Sequence, residues 1–267
     1  MCTISIIPLP GGGLRAAISR DELRSRGPAL PPRLFEPEPG VSALWPVDSQ
    51  AGGTWVAVSA RGVVFALLNG NPRGGAAPGR RSRGLLIPML AGLPDPRLAM
   101  EHLQAIALDD FAPFRLVAAS ADLVLDATWD GRELGRGQNE QPPACFVSSG
   151  LGDELVTPRL TLFEQWFERH AFEPAAQDAF HDHRWPDRPD ISVRMERPEA
   201  RTVSVTTIEL PPPGESPGQA VMIYRDDAGP RRAELSLSRP PAQHSTVRSS
   251  TRLGAPSASP GRGRVRC

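Results

Sequence analysis

Met1-Cys2-Thr3-Ile4-Ser5-Ile6-Ile7-Pro8, followed by Gly11-Gly12-Gly13 and Leu14-Arg15-Ala16-Ala17-Ile18, opens the chain. The first run is short and β-branched, the glycines make a turn, and the second run returns apolar, which predicts a β-hairpin. Pro8 and Leu14 flank the turn, so pairing back along the strands brings residues 19–20 opposite residues 2–3. Ser19-Arg20-Asp21-Glu22 then lands beside the chain start. If Met1 is removed, as is usual before a small residue, Cys2 carries both a thiol and a free α-amine. Such an amine has a pKa of about 7.7–8.0, far below a lysine's, so an appreciable fraction of it, about a tenth or more, is a neutral base near pH 7. A nucleophile with its own base is the arrangement of N-terminal-nucleophile catalysis. A neighbouring arginine could hold a thiolate or a substrate carboxylate, and an aspartate could orient the amine. The same residues would also fit a solvated strand end leading into a helix over Arg20–Arg24.

Outward from this hairpin, residues 26–52 are Pro-rich and read as a covering loop. Thr54–Ser59 and Val63–Leu68 form a second hairpin whose near-continuous apolar run suits a strand covered on both faces. Residues 69–84 read as a Gly/Pro/Arg loop. Asp95-Pro96 opens a helix with a cap and a first-turn proline, and Thr157-Pro158 opens another, with Leu162, Phe163, Trp166 and Phe167 as its apolar stripe. A shorter helix is expected over Pro174–Phe180. Strands are expected at Phe114–Ser120, Leu123–Thr128, Ala144–Ser148, Ile191–Met195, Arg201–Leu210 and Ala220–Tyr224. Two sheets covered by helices would satisfy this order: an α+β protein built as a four-layer α/β/β/α sandwich. The pattern alone fits an ordinary α+β fold equally. Residues 1–226 read as the folded domain. Residues 227–267 are rich in Arg, Ser, Pro and Gly, which predicts a disordered basic tail unable to bury enough surface to order itself.

Lys+Arg equals Asp+Glu at 30 each and the pI is about 7.0, which argues against a nucleic-acid or anionic-membrane surface. The chain has no lysine. An α-amine is therefore its only primary amine. The three cysteines, Cys2, Cys145 and Cys267, are too sparse for a disulfide scaffold or a zinc site. No run reaches the roughly 18 apolar residues of a membrane span. A reduced, cytoplasmic protein without cofactor or metal is expected. His181-Asp182-His183 reads as a surface turn before Trp185, since residues two apart share a face only on a strand and no third ligand is evident. Arg73, Arg80, Arg81 and Arg83 read as solvated loop charge, or else as recognition of an acidic substrate group near Asn69.

Met1-Cys2-Thr3, Ser19-Arg20-Asp21-Glu22, Ala51-Gly52-Gly53-Thr54-Trp55 and Ala66-Leu67-Leu68-Asn69 together resemble the NRDE family, also called transport-and-Golgi-organisation-2-like. Ser82-Arg83-Gly84 and Ser148-Ser149-Gly150-Leu151-Gly152 are similar to bacterial members. The resemblance covers roughly residues 1–225. It implies the α/β/β/α sandwich of the N-terminal-nucleophile hydrolases, especially those of the choloylglycine hydrolase type. It also implies Cys2 as nucleophile, Arg20 and Asp21 beside it, Asn69 as an oxyanion donor, and cleavage of a non-peptide acyl C–N bond in a small acyl-amide or lipid-like substrate. The family's associations equally imply a non-catalytic protein that handles lipid, acyl-CoA or haem. Two departures stand out. Ser19 replaces the asparagine of the tetrad, a change expected to lie outside the chemistry. Ser149 stands where many relatives carry asparagine; its hydroxyl can donate, but it is shorter. Arg201 is the nearest counterpart of a late arginine expected in related enzymes.

Overall fold

The computed structural model describes residues 2–71, 79–137, 141–214 and 218–238. One sheet has six strands, in the spatial order β10 (Ala144–Ser148), β1 (Cys2–Pro8), β2 (Leu14–Leu23), β11 (Ala200–Leu210), β12 (Gln219–Asp226) and β13 (Gly229–Ser236). The other has seven strands in chain order: β3 (Leu30–Glu38), β4 (Val41–Val47), β5 (Val56–Ser59), β6 (Val64–Asn69), β7 (Phe114–Ser120), β8 (Leu123–Trp129) and β9 (Leu134–Arg136). All ladders within the two sheets are antiparallel. Helices α1 (Leu86–Leu90) and α2 (Pro96–Ala105) cover the seven-stranded sheet; α3 (Pro158–Arg169) and α4 (Pro174–His181) cover the six-stranded one.

Strand alternation explains the layers. Cys2, Ile4 and Ile6 of β1 point into the space between the sheets, where they join Leu14, Ala16, Ile18, Val56, Val58, Val64 and Ala66. Ile7 faces the other way, against Phe163 and Phe180 of α3 and α4. The outer face of the second sheet, including Phe65, Leu67 and Leu116, packs on Leu86, Leu90, Met100 and Leu103. The result is the helix–sheet–sheet–helix sandwich expected from the sequence.

The hairpin register is the one counted from its turn: Cys2 pairs with Arg20, Thr3 with Ser19 and Pro8 with Leu14. Gly13 is indispensable there, because its φ of +84° is joined by a close approach that would set a Cβ 2.3 Å from the Leu210 carbonyl. Asp95 caps α2 as predicted, accepting from the N–H groups of Arg97 and Leu98. At Thr157 the proline start holds, but the threonine hydroxyl donates to the Glu154 carbonyl instead of capping α3.

Four expectations are corrected. Residues 26–52 are not an irregular cover: they contain β3 and β4, and Pro31, Pro32 and Pro37 are tolerated because β3 is an edge strand. Ile191–Met195 is turn and bend, anchored through Ser192 Oγ to Trp185 and Arg188. The chain does not leave the domain at 227, because Gly229–Ser236 pairs along the whole of β12; residues 239–267 lie outside the described residues. His181 is not on a surface turn. It is buried, and its two ring nitrogens meet Ser5 Oγ and Ser19 Oγ, each at 2.7 Å.

Burial pushes the His181 pKa down to about 3, with the Arg15 charge adding to the fall. The neutral ring is therefore the folded form. The unfolded chain takes up a proton near pH 6.5 that the folded chain refuses, so stability is complete above that pH and drains as pH falls toward 3. The expected slope is on the order of 1 kcal/mol per pH unit below about pH 6.5. Urea unfolding between about pH 7 and 4.5 should show it, and His181→Gln should be less stable at pH 7 but flatter across that window.

Candidate active site

The open end of the first hairpin places Cys2 in a cleft of about 120 Å³ between the two sheets. Because directly paired residues share a face, Cys2 and Arg20 project together, whereas Thr3 and Ser19 face the helices. Ser19 thus lies on the side of His181, away from the thiol, and Ser149 is not among the residues lining the cleft. Arg20, Asp21 and Asn69 are, together with Trp55 and Arg83. Four of the five residues singled out from the sequence therefore share one cavity with, or are, Cys2.

Arg20 is fixed on three sides. Its Nη2 donates to Glu22 and to Asp48, each at 3.1 Å, and its guanidinium lies 4.6 Å from the centre of the Trp55 ring. Arg26 closes the set by reaching the same two carboxylates. Asp48 is held well below the usual carboxylate range: the N–H groups of Ala51 and Gln50 and the guanidinium of Arg26 outweigh its burial. The Ala51-Gly52-Gly53-Thr54-Trp55 block explains the rest of this wall. A Cβ on Gly53 would lie 2.4 Å from the Gly84 carbonyl carbon, and Thr54 N–H donates to Gly84 O at 2.9 Å. Only glycine lets the segment 82–84 lie directly on this turn, which is what delivers Arg83 to the cleft.

Asp21 is fully buried against α3. Its carboxylate accepts from Thr202 Oγ1 at 2.6 Å and faces Arg159 Nη1 at 3.5 Å. Arg159, also buried, donates to Thr3 Oγ1 at 2.8 Å and to the Ile191 carbonyl at 2.9 Å. Burial raises the Asp21 pKa, and Arg159 and the Thr202 hydroxyl pull it back. Burial likewise raises the Cys2 thiol, Asp21 adding to the rise while the Arg20 charge and the Asp21 backbone N–H favour the thiolate. The Cys2 N–H donates to Ser148 Oγ at 3.3 Å.

Asn69 ends β6 opposite Phe114. Its position is set by a clamp that the sequence reading missed. Asp153 accepts from Asn71 N–H at 2.9 Å and from Ser149 N–H at 2.8 Å, while Asn71 Nδ2 donates to the Asn69 carbonyl at 3.1 Å. One carboxylate thereby ties the end of a strand in one sheet to the loop after β10 in the other. The Asn69 side-chain amide makes no protein hydrogen bond among the described residues. Ser149 Oγ accepts from Arg197 Nη2 at 3.1 Å and from Leu151 N–H at 3.2 Å. Arg197, not singled out from the sequence, thus reaches this region. Arg201, the candidate from sequence, instead pairs with Asp227 near the surface. Arg159 and Asp48 were also missed; an arginine on an amphipathic helix and an aspartate in a Pro-rich stretch carry no local signal of burial or pairing.

Among the described residues no group of His, Cys, Asp and Glu could hold a metal ion, and no helix is long and apolar enough to cross a membrane. Of the basic loop, Arg83 lines the cleft, Arg80 pairs with Asp110, Arg81 lies over Phe111, and Arg73 is outside the described residues.

Two facing antiparallel sheets between helix layers, with the start of the chain opening a cleft between them, define an Ntn-hydrolase-like fold. A conjugated bile acid hydrolase from Clostridium perfringens, solved as a C2A mutant, aligns over 88% of this chain and 92% of its own with a TM-score of 0.50 and 9% identity. An N-acylethanolamine-hydrolyzing acid amidase (NAAA) ortholog from Caenorhabditis elegans aligns over 78% and 92% with a TM-score of 0.51 and 13% identity. At such identities the likeness is one of fold. No curated protein sequence matches. The chain belongs to the Transport and Golgi organisation 2 family, whose sequence model matches residues 14–171. That span includes Arg20, Asp21, Asn69 and Ser149; Cys2 precedes it.

Proposed function

We propose that the protein is an amidohydrolase in which Cys2, exposed as the N-terminal residue by removal of Met1, attacks a non-peptide acyl C–N bond. The observation that carries this reading is that Cys2, Arg20, Asp21 and Asn69 line one cleft, with the Asn69 amide unengaged among the described residues and the Asp21 carboxylate turned behind it to Arg159. In the proposed reaction the thiol proton passes to the α-amine as sulfur bonds to the carbonyl carbon. Asn69 donates to the resulting oxyanion. The proton is handed to the leaving nitrogen, the C–N bond breaks, and an acyl thioester remains on Cys2. Water then attacks the thioester, releasing a carboxylic acid and restoring the thiol. Burial holds the thiol above its usual range, and the chain's N-terminal charge, Arg20 and the Asp21 N–H oppose that rise in part, so the proton transfer to the α-amine accompanies attack. The two similar structures are named for hydrolysis, one of a conjugated bile acid and one of N-acylethanolamine. That agrees with the reaction class and leaves the substrate open. The cleft's volume is below the roughly 300–1,000 Å³ of pockets that enclose drug-sized ligands, which favours a compact group in the part of the substrate it encloses.

One observation favours a second reading, a non-catalytic protein that binds or handles lipid, acyl-CoA or haem on this scaffold. Ser149 is turned to Arg197 and does not line the cleft, so it adds no donor beside Asn69. Labelling separates the two. The hydrolase reading expects an intact mass without Met1 and stoichiometric acylation of Cys2 by an activated acyl ester, lost in Cys2→Ala. Retention of Met1, or equal labelling of Cys2→Ala, would sink it.

A further inference from the structure

Charge pairing around the cleft leaves one cation over. Its ionisable lining comprises Arg20, Arg26 and Arg83 against Asp21, Glu22 and Asp48. Arg20 and Arg26 each reach both Glu22 and Asp48, which closes a neutral quartet. Asp21 is turned to Arg159 on the helix side. Arg83 is half-buried and in no ion pair among the described residues; its one protein hydrogen bond there runs from Nη1 to the Pro113 carbonyl at 2.8 Å. A guanidinium has five N–H donors and stays charged at any physiological pH. A single backbone contact leaves most of these donors unused at the wall of a cavity.

The Gly53–Gly84 contact shows that this placement is built. Both residues give up a side chain so that the segment carrying Arg83 can lie on the Gly53-Thr54 backbone. The Pro113 carbonyl then anchors one arm of the guanidinium, leaving the other arm for a second acceptor. Planar, bidentate recognition of a carboxylate is what such a fork does best.

Resting on the amidohydrolase reading, we propose that Arg83 is a specificity residue of the Cys2 cleft, and that the substrate is a small acyl amide with a carboxylate a few bonds from its scissile carbonyl. The quartet supplies no net attraction for that carboxylate, and Arg83 supplies the side-chain attraction, beside the α-amine of residue 2. A neutral amide of the same length loses the pairing with Arg83, the one cleft-lining side-chain cation outside an ion pair among the described residues.

Binding tests this independently of turnover. In a full-length Cys2→Ala background, succinamate and N-acetylglycine carry the carboxylate on either side of the amide; butyramide and N-ethylacetamide are their neutral counterparts. Titration calorimetry should show at least one carboxylate probe bound about tenfold or more tighter than its counterpart, with the preference shrinking as salt is added. Arg83→Gln should remove most of the preference. If that variant lacks a melting transition, Arg83→Lys decides: a surviving preference supports recognition by charge, and a lost one overturns it. Equal binding of charged and neutral probes by the parent overturns the proposal, as does an unchanged preference in Arg83→Gln. Arg83 could instead serve the thiolate. In that case Arg83→Gln on the Cys2 protein would slow alkylation by uncharged iodoacetamide while the carboxylate preference stayed intact, which also counts against it. The acylation test on Cys2 can fail while this binding preference stands, so the two readings fall separately.

Discussion

Arg159→Met is expected to destabilise the protein by about 3–5 kcal/mol, the cost of leaving one member of a buried ion pair uncompensated. Arg159 is the largest fully buried side chain and serves three acceptors on three different segments: Thr3 Oγ1, the Asp21 carboxylate and the Ile191 carbonyl. Methionine fills much of the space but satisfies none of them. Asp21 would keep the Thr202 hydroxyl, yet its nearest full counter-charge on α3 would be gone. With burial already raising its pKa, the carboxyl should rise further and take up a proton. The sign follows: a group whose folded pKa lies above its unfolded value contributes stability at low pH that is lost as pH rises through the folded pKa. The variant's defect should therefore be larger at about pH 8 than at about pH 5, measured by urea unfolding against wild type. Asp21→Asn combined with Arg159→Met should recover part of the loss, because it removes the stranded charge. A defect that is the same at both pH values would mean that Arg159 acts through packing alone.

How much of this was written in the sequence depended on whether the signal was local. The β1–β2 register followed from a turn and two runs within 22 residues, and it was correct to the residue. The four-layer arrangement followed from the resemblance more than from pattern, because strands covered on both faces show little alternation. Edge strands failed for the opposite reason. Leu30–Glu38 is mostly exposed and contains three prolines, so it looked like a loop until its pairing with β4 was visible. Gly229–Ser236 alternates exposed charge with small residues and reads as tail, yet it completes a sheet. Residues gathered from distant segments were hardest. Arg159 lies 138 positions from Asp21, and Asp153 reaches Asn71 across 82 positions. Their side chains are ordinary surface types that only the tertiary fold buries. Arg197, which reaches Ser149, lies four residues from Arg201 in an Arg-rich stretch, and nothing in the composition sets the two apart.

Asn69→Ala is expected to slow acylation of Cys2 about 10²–10³-fold, the usual loss on removing one oxyanion donor, while leaving the thermal unfolding midpoint nearly unchanged. The two halves of that expectation come from the same observation. The Asn69 backbone carbonyl is used, by Asn71, but its side-chain amide has no protein partner among the described residues, so deleting it breaks no hydrogen bond among them. Under the proposed reaction, a cleft-lining donor with no partner in the resting fold among the described residues is available for a charge that exists only during reaction. The Asp153 clamp explains how it can be rigid without being engaged: Asn71 and Ser149 are tied to one carboxylate, which fixes the strand end on which Asn69 sits. Asp153→Ala should therefore both destabilise the protein and slow acylation, whereas Asn69→Ala should do only the second. Asn69→Asp is the sharper control. It keeps the size and the backbone, but its ionised carboxylate can only accept, so it would repel the oxyanion and should acylate no faster than the alanine variant. Rates of Cys2 acylation by p-nitrophenyl butyrate, read beside melting curves, separate these outcomes. If Asn69→Asp retained the wild-type rate, the amide would not be the donor, and the oxyanion would have to be held by backbone N–H groups alone.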